Sequence, residues 1–197
     1  GLFAGLMVGV AILFYAAMDR LWTSRSYWTS IAVAVVIGGL VAGACFLPYV
    51  DVGETHGSVA RTLDEARVYS ADWRAYLASP ARSHRWLLTR IEVWNEVLFP
   101  GFLMLGLAVV GVVTGLRSTR ETLARTAVTS PAHQDPSRVV ALYGLLALLA
   151  AWASFGPSGG LYTLLFETIP GFEMLRAPAR LGIVVALALA VLAGVGV

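Results

Sequence analysis

Lysine is absent from this chain, and all 14 basic side chains are arginine. A chain-wide bias toward arginine codons is one account of that; bound phosphate is the chemical alternative, because guanidinium offers a planar fork of donors. Cysteine is nearly absent. Cys45 stands alone, so it closes no intrachain disulfide and builds no metal cage. Beside Phe46 it reads as a small packing residue. Histidine is scarce too. His56 and His84 have no partner at a recognisable ligand spacing, and His133 sits among Pro, Ser and Thr as a solvated linker residue, so no metal site is expected. Charge is thin throughout: 13% of residues are charged and the net charge is +2. With no long basic tract, nucleic acid is excluded as a partner.

Apolar sequence is what the chain has in abundance, at 58% of residues. Residues 1–18, 31–50, 98–116, 139–155 and 181–197 contain no Arg, Glu or His. Each is close to the ~20 residues that cross a bilayer as a helix. The expected fold is all-α: one polytopic transmembrane helix bundle over residues 1–197, with lipid as its main solvent. The start at Gly1 and the stop inside an apolar run read as a piece cut from a longer multi-span protein.

Loop charge sets the expected orientation. Loop 19–30 carries Arg20 and Arg25 against Asp19, and loop 117–138 carries Arg117, Arg120, Arg125 and Arg138 against Glu121 and Asp135. Both lean positive and are assigned to the inside, which leaves loops 51–97 and 156–180 outside. Loop 51–97 holds many arginines itself, but acids balance them, and long balanced loops cross with weak regard to charge. Trp22, Tyr27 and Trp28 at one end of the first hairpin and Tyr49 at the other read as headgroup-level anchors. Pro48 reads as the exit of the second span. Small residues four apart mark close helix approach: Gly1 and Gly5, Gly38 and Ala42, and Gly111 and Gly115.

Both outer loops read as structured, with short interfacial helices. Thr62-Leu-Asp-Glu65 matches a capping box and opens a helix from about Leu63 to Tyr69. Tyr69, Trp73, Tyr76 and Leu77 are spaced for one apolar helical or turn-rich face, which Ser79-Pro80 ends. A second amphipathic stretch is expected from His84 to Glu96, with Trp86, Leu87, Ile91, Trp94 and Leu98 on one side, rings toward lipid. Glu92 and Glu96 share a helical face; they complement the dipole of the incoming helix, or form a paired acid site. In the later loop, Leu161 to Ile169 reads as a helix of about nine residues, too short to cross a bilayer. Pro178 fits the first turn of the fifth span.

Arg176 and Arg180 bracket that helix start. Arg180 is disfavoured there by the helix dipole and by the positive-inside rule, so an anion is expected beside it. Glu173 or Glu167 supplies that anion, or a phosphate of a lipid-borne substrate does.

The run from Leu161 to Arg180, with Pro170-Gly-Phe172 and Leu175-Arg-Ala-Pro-Ala-Arg180, resembles the late region of large bacterial membrane proteins of the YfhO type. Those are similar to polytopic glycosyltransferases of the GT-C class. Tyr69-Ser-Ala-Asp72, Tyr76-Leu77 and Glu96-Val-Leu-Phe-Pro-Gly101 agree with it, and the resemblance covers roughly residues 30 to 197. It implies a multi-pass protein of the bacterial inner membrane that moves a sugar from a polyprenyl-phosphate carrier to a glycan, lipid or protein acceptor on the outer face. It implies an acidic residue in that transfer, often with a divalent metal. The family's catalytic acids lie in an earlier outer loop, so no catalytic residue is carried over. Arg176 and Arg180 are the candidate carrier-phosphate ligands. A transporter or flippase, which would place ionisable groups or broken helices at mid-membrane, and a non-catalytic scaffold subunit remain the alternatives.

Overall fold

A computed structural model describes residues 2–56, 62–91, 96–124, 136–169, 172, 175 and 177–197. Among them the regular structure is all helical: α1 (Leu2–Met18), α2 (Arg25–His56), α3 (Leu63–Val68), α4 (Arg85–Leu88), α5 (Phe102–Ala124), α6 (Pro136–Ser154), α7 (Leu161–Thr168) and α8 (Gly182–Val195), joined by several tight 3₁₀ turns. Among the described residues three stretches are long and apolar enough to cross a membrane: Arg25–Ala44, Pro136–Ser154 and Pro178–Val195. Phe3–Met18 and Phe102–Arg117 are shorter apolar helices. The chain divides into two compact units, residues 4–60 and residues 61–197 with the first three residues.

In the first unit, α1 ends at Met18 and the chain turns through Arg20, whose φ of 54° is left-handed. Ser24 then caps α2 by accepting from the Tyr27 amide at 3.4 Å, so the helix starts six residues before the apolar block does. It also runs past Pro48 to His56, which corrects the expected exit there. A proline's φ is compatible with a helix, and the single missing bond does not stop a helix this long.

In the second unit, α5 and α8 run parallel, with α6 antiparallel between their ends. Ala108, Val140, Leu192 and Ala193 form the shared core. Gly111 lies directly against the α8 backbone at Leu192 and Gly196, while Gly115 faces Val140 of α6. The small-residue reading therefore holds for Gly111 and Gly115, each toward a different neighbour. A side chain at Gly5 or Gly38 would meet nothing within 4 Å among the described residues.

Helix α5 starts at Phe102, not at residue 98. The Leu98 and Phe99 amides donate to Ala75 and Ala78 at 2.9 and 3.1 Å, which holds them extended, and Gly101 turns at φ 98°. At its other end α5 continues to Ala124, so Arg117, Arg120 and Glu121 are helical. Helix α7 matches its expected span within one residue, and Pro178 opens the 3₁₀ turn that leads into α8.

Candidate functional site

The irregular segments of the second unit meet where α6 ends and α8 begins. Helix α3 forms as its capping box requires: the Glu65 amide donates to Thr62 Oγ1 at 3.3 Å. The chain then docks residue by residue. The Ala71 amide donates to the Ser154 carbonyl at 2.9 Å, and the Ala179 amide to the Tyr69 carbonyl at 3.2 Å. Tyr76 Oη lies 2.8 Å from Ser154 Oγ. Because Ser154 Oγ donates to Ala151 at 2.6 Å, the phenol is the donor to it. Burial pushes the Tyr76 phenol above its ordinary value, and the Ser154 bond draws it partly back.

Close approach explains a glycine here. Gly156 has φ 62°, and a Cβ on it would collide with Ser70. Only glycine both adopts that turn and admits residue 70 so near. On the far side, α7 is anchored by Tyr162, fully buried, whose hydroxyl donates to the Leu175 carbonyl at 2.7 Å; Phe172 packs edge-on to its ring.

Residues 73–77 form a turn, in which Ala71, Ala75 and Ala78 on either side and within it are buried while Trp73 is 62% exposed. Asp72 sets this, since its carboxylate accepts from the Ala75 amide at 2.8 Å and winds a turn that points the small residues inward. Only residues that small let four backbone segments come so close. Of the second amphipathic stretch, residues 92–95, Trp94 among them, lie outside the described residues. Helix α4 stops at Leu88; Ile91 is buried and Trp86 exposed, so they do not share one face. His84 is held by Ser79 Oγ at 2.9 Å and by the edges of Phe99 and Phe102.

These contacts enclose a cleft of about 390 Å³ lined by Arg67, Ser70, Asp72, Trp73, Glu96 and Ser158, among others. Its chemistry is mixed: one guanidinium, two carboxylates, two hydroxyls and an indole. Segments 69–72 and 96–101 both contribute to it. Glu96 is present there, while Glu92 lies outside the described residues. The periodic signal for Arg67, Asp72 and Trp73 as one lining was missing from the sequence, because a turn rather than a helix brings them together.

Arg180 is exposed, one residue beyond the Ala179 amide that bonds Tyr69. Arg176 and Glu173 lie outside the described residues. Glu167 is exposed, and among the described residues no ion pair joins it to Arg180. Among the described residues no three His, Cys, Asp or Glu side chains gather as a metal cage. Asp72 and Glu96 are the cleft's two carboxylates, the number a magnesium ion commonly takes alongside waters and phosphate. No family model, curated protein or solved structure matches the chain.

Proposed function

We propose that this chain is part of a multi-pass enzyme of the bacterial inner membrane, of GT-C glycosyltransferase type, which passes a sugar from a polyprenyl-phosphate carrier to an envelope acceptor. The observation that carries the reading is the union of the two irregular segments into one cleft of mixed lining at the end of the α5–α6–α8 unit. Under the orientation drawn from loop charge, that end lies on the outer side, where a lipid-linked sugar is presented. Arg180, and Arg176 with it, bind the carrier phosphate. The cleft lined by Asp72, Trp73 and Glu96 shapes the acceptor side, since carboxylates accept from sugar hydroxyls and an indole covers an apolar sugar face.

The test is photocrosslinking of the membrane-embedded protein with a photoreactive polyprenyl-phosphate sugar. Arg180→Ala is expected to cut labelling about tenfold while thermal stability in detergent stays the same. Equal labelling of the variant removes the phosphate role, and no labelling of the wild type removes the reading as a whole.

A further inference from the structure

The first unit holds a second groove, far simpler in its chemistry. It is a shallow, open groove lined by Trp22, Thr23, Arg25, Trp28, Thr29 and Ala32, with a volume of about 420 Å³. The α1–α2 turn builds it. The Trp28 indole N–H donates to the Trp22 carbonyl at 2.9 Å, and the two indoles stand 6.1 Å apart at a 35° tilt. The Tyr27 hydroxyl donates to the Ile12 carbonyl at 2.7 Å, which ties the first turns of α2 back to α1. Of the two indoles of the wall, Trp28 is held by a hydrogen bond from its ring, and Trp22 accepts that bond through its backbone.

Two features of the groove point to its ligand. First, its one charge is the exposed Arg25, and no carboxylate among the described residues lines the groove with it. A guanidinium beside hydroxyls suits a phosphate. Secondly, the groove opens onto the apolar surface of α2, which is exposed on its other faces too, at Val33, Val35, Ile37 and Val41. Arg25, Trp28, Thr29 and Ala32 follow i, i+3, i+4, i+7 spacing and so lie on one face of α2. Four and eight residues beyond Ala32 on that face are Val36 and Leu40, 59% and 71% exposed. A charged pocket that opens onto a track of exposed aliphatic side chains matches an amphiphile with an anionic head.

We infer that this groove binds one anionic phospholipid, its phosphate on Arg25, its glycerol region between Trp22 and Trp28, and an acyl chain along Ala32, Val36 and Leu40. The site is independent of the glycosyl-transfer reading and lies in the other unit of the chain. It does more than anchor a helix at the headgroup level: one lipid is selected by charge and held by two rings.

Native mass spectrometry of the detergent-solubilised protein, titrated with dioleoyl phosphatidylglycerol and dioleoyl phosphatidylcholine, tests this. The first bound phosphatidylglycerol should be about tenfold tighter than phosphatidylcholine. Arg25→Gln should bring the two lipids level, whereas Arg85→Gln, an exposed cation outside the groove, should leave the preference intact. Ala32→Trp fills the groove without removing the cation and should abolish the tight phosphatidylglycerol event. A preference that survives Arg25→Gln or Ala32→Trp overturns the site. So does displacement of the lipid by millimolar inorganic phosphate, which would make it a plain anion site with no acyl recognition.

Discussion

Gly111→Ala is the sharpest test of how the second unit is held together. A Cβ at residue 111 would sit 3.0 Å from the Leu192 carbonyl carbon and 3.1 Å from the Gly196 nitrogen, and nearer still to the Leu192 oxygen. Comfortable carbon contacts need about 3.5–4.0 Å. The obstacle is backbone, which no rotamer change can move, so α5 and α8 must part. In lipid no hydrophobic force draws helices together, and association rests on close packing. Overpacking of this kind costs about 3 kcal/mol at its upper end, against about 1 kcal/mol gained from alanine's better helix propensity. A net loss of about 2 kcal/mol is expected. Gly144→Ala on α6 is the control, since its Cβ meets nothing within 4 Å and only the propensity gain remains. Gly115→Ala should fall between them, because the atom it strikes is a Val140 methyl that can give way. Reversible unfolding by SDS titration in mixed micelles reads all three. If Gly111→Ala proves no worse than Gly144→Ala, the two helices are not in backbone contact.

Two further outcomes follow from the docked loops. Tyr76→Phe loses the bond to Ser154 and should cost about 1 kcal/mol at neutral pH. Since folding raises the Tyr76 phenol, its contribution is complete below the unfolded value of about 10 and is lost as pH climbs through the higher folded value; unfolding midpoints taken from pH 8 to 11 should therefore fall less steeply in Tyr76→Phe than in the wild type. An equal alkaline slope in both would contradict the burial of that ring. Thr62→Ala removes the cap of α3 at a cost of about 1 kcal/mol, seen as faster amide exchange confined to residues 63–68. Unchanged exchange there would mean the cap contributes nothing.

Local chemistry made part of this molecule readable in advance. The Thr62 cap, the Leu161–Thr168 helix, the Pro178 entry to α8 and the close approach at Gly111 each depend on a few neighbouring residues, and each formed where those residues placed it. Helix limits were less readable. Ser24 began α2 early and Pro48 did not end it, because a cap and a proline act through one or two hydrogen bonds while hydropathy averages over many residues. The cleft was unreadable for another reason. Spacing put Trp73 on an apolar face with Tyr69, Tyr76 and Leu77, but gave no sign that Asp72 would wind the chain into a turn and point the alanines inward.

The order of residues along the chain determined its helices: long stretches without ionisable groups, punctuated by caps, prolines and arginines, give among the described residues three helices long and apolar enough to cross a membrane. Tertiary structure alone decided which distant residues share a site. Arg67, Asp72, Glu96 and Ser158 come together because backbone amides at Ala71, Leu98 and Ala179 find carbonyls far away in sequence. A hydrogen bond between remote backbones leaves no periodicity behind it, since any non-proline residue can make one.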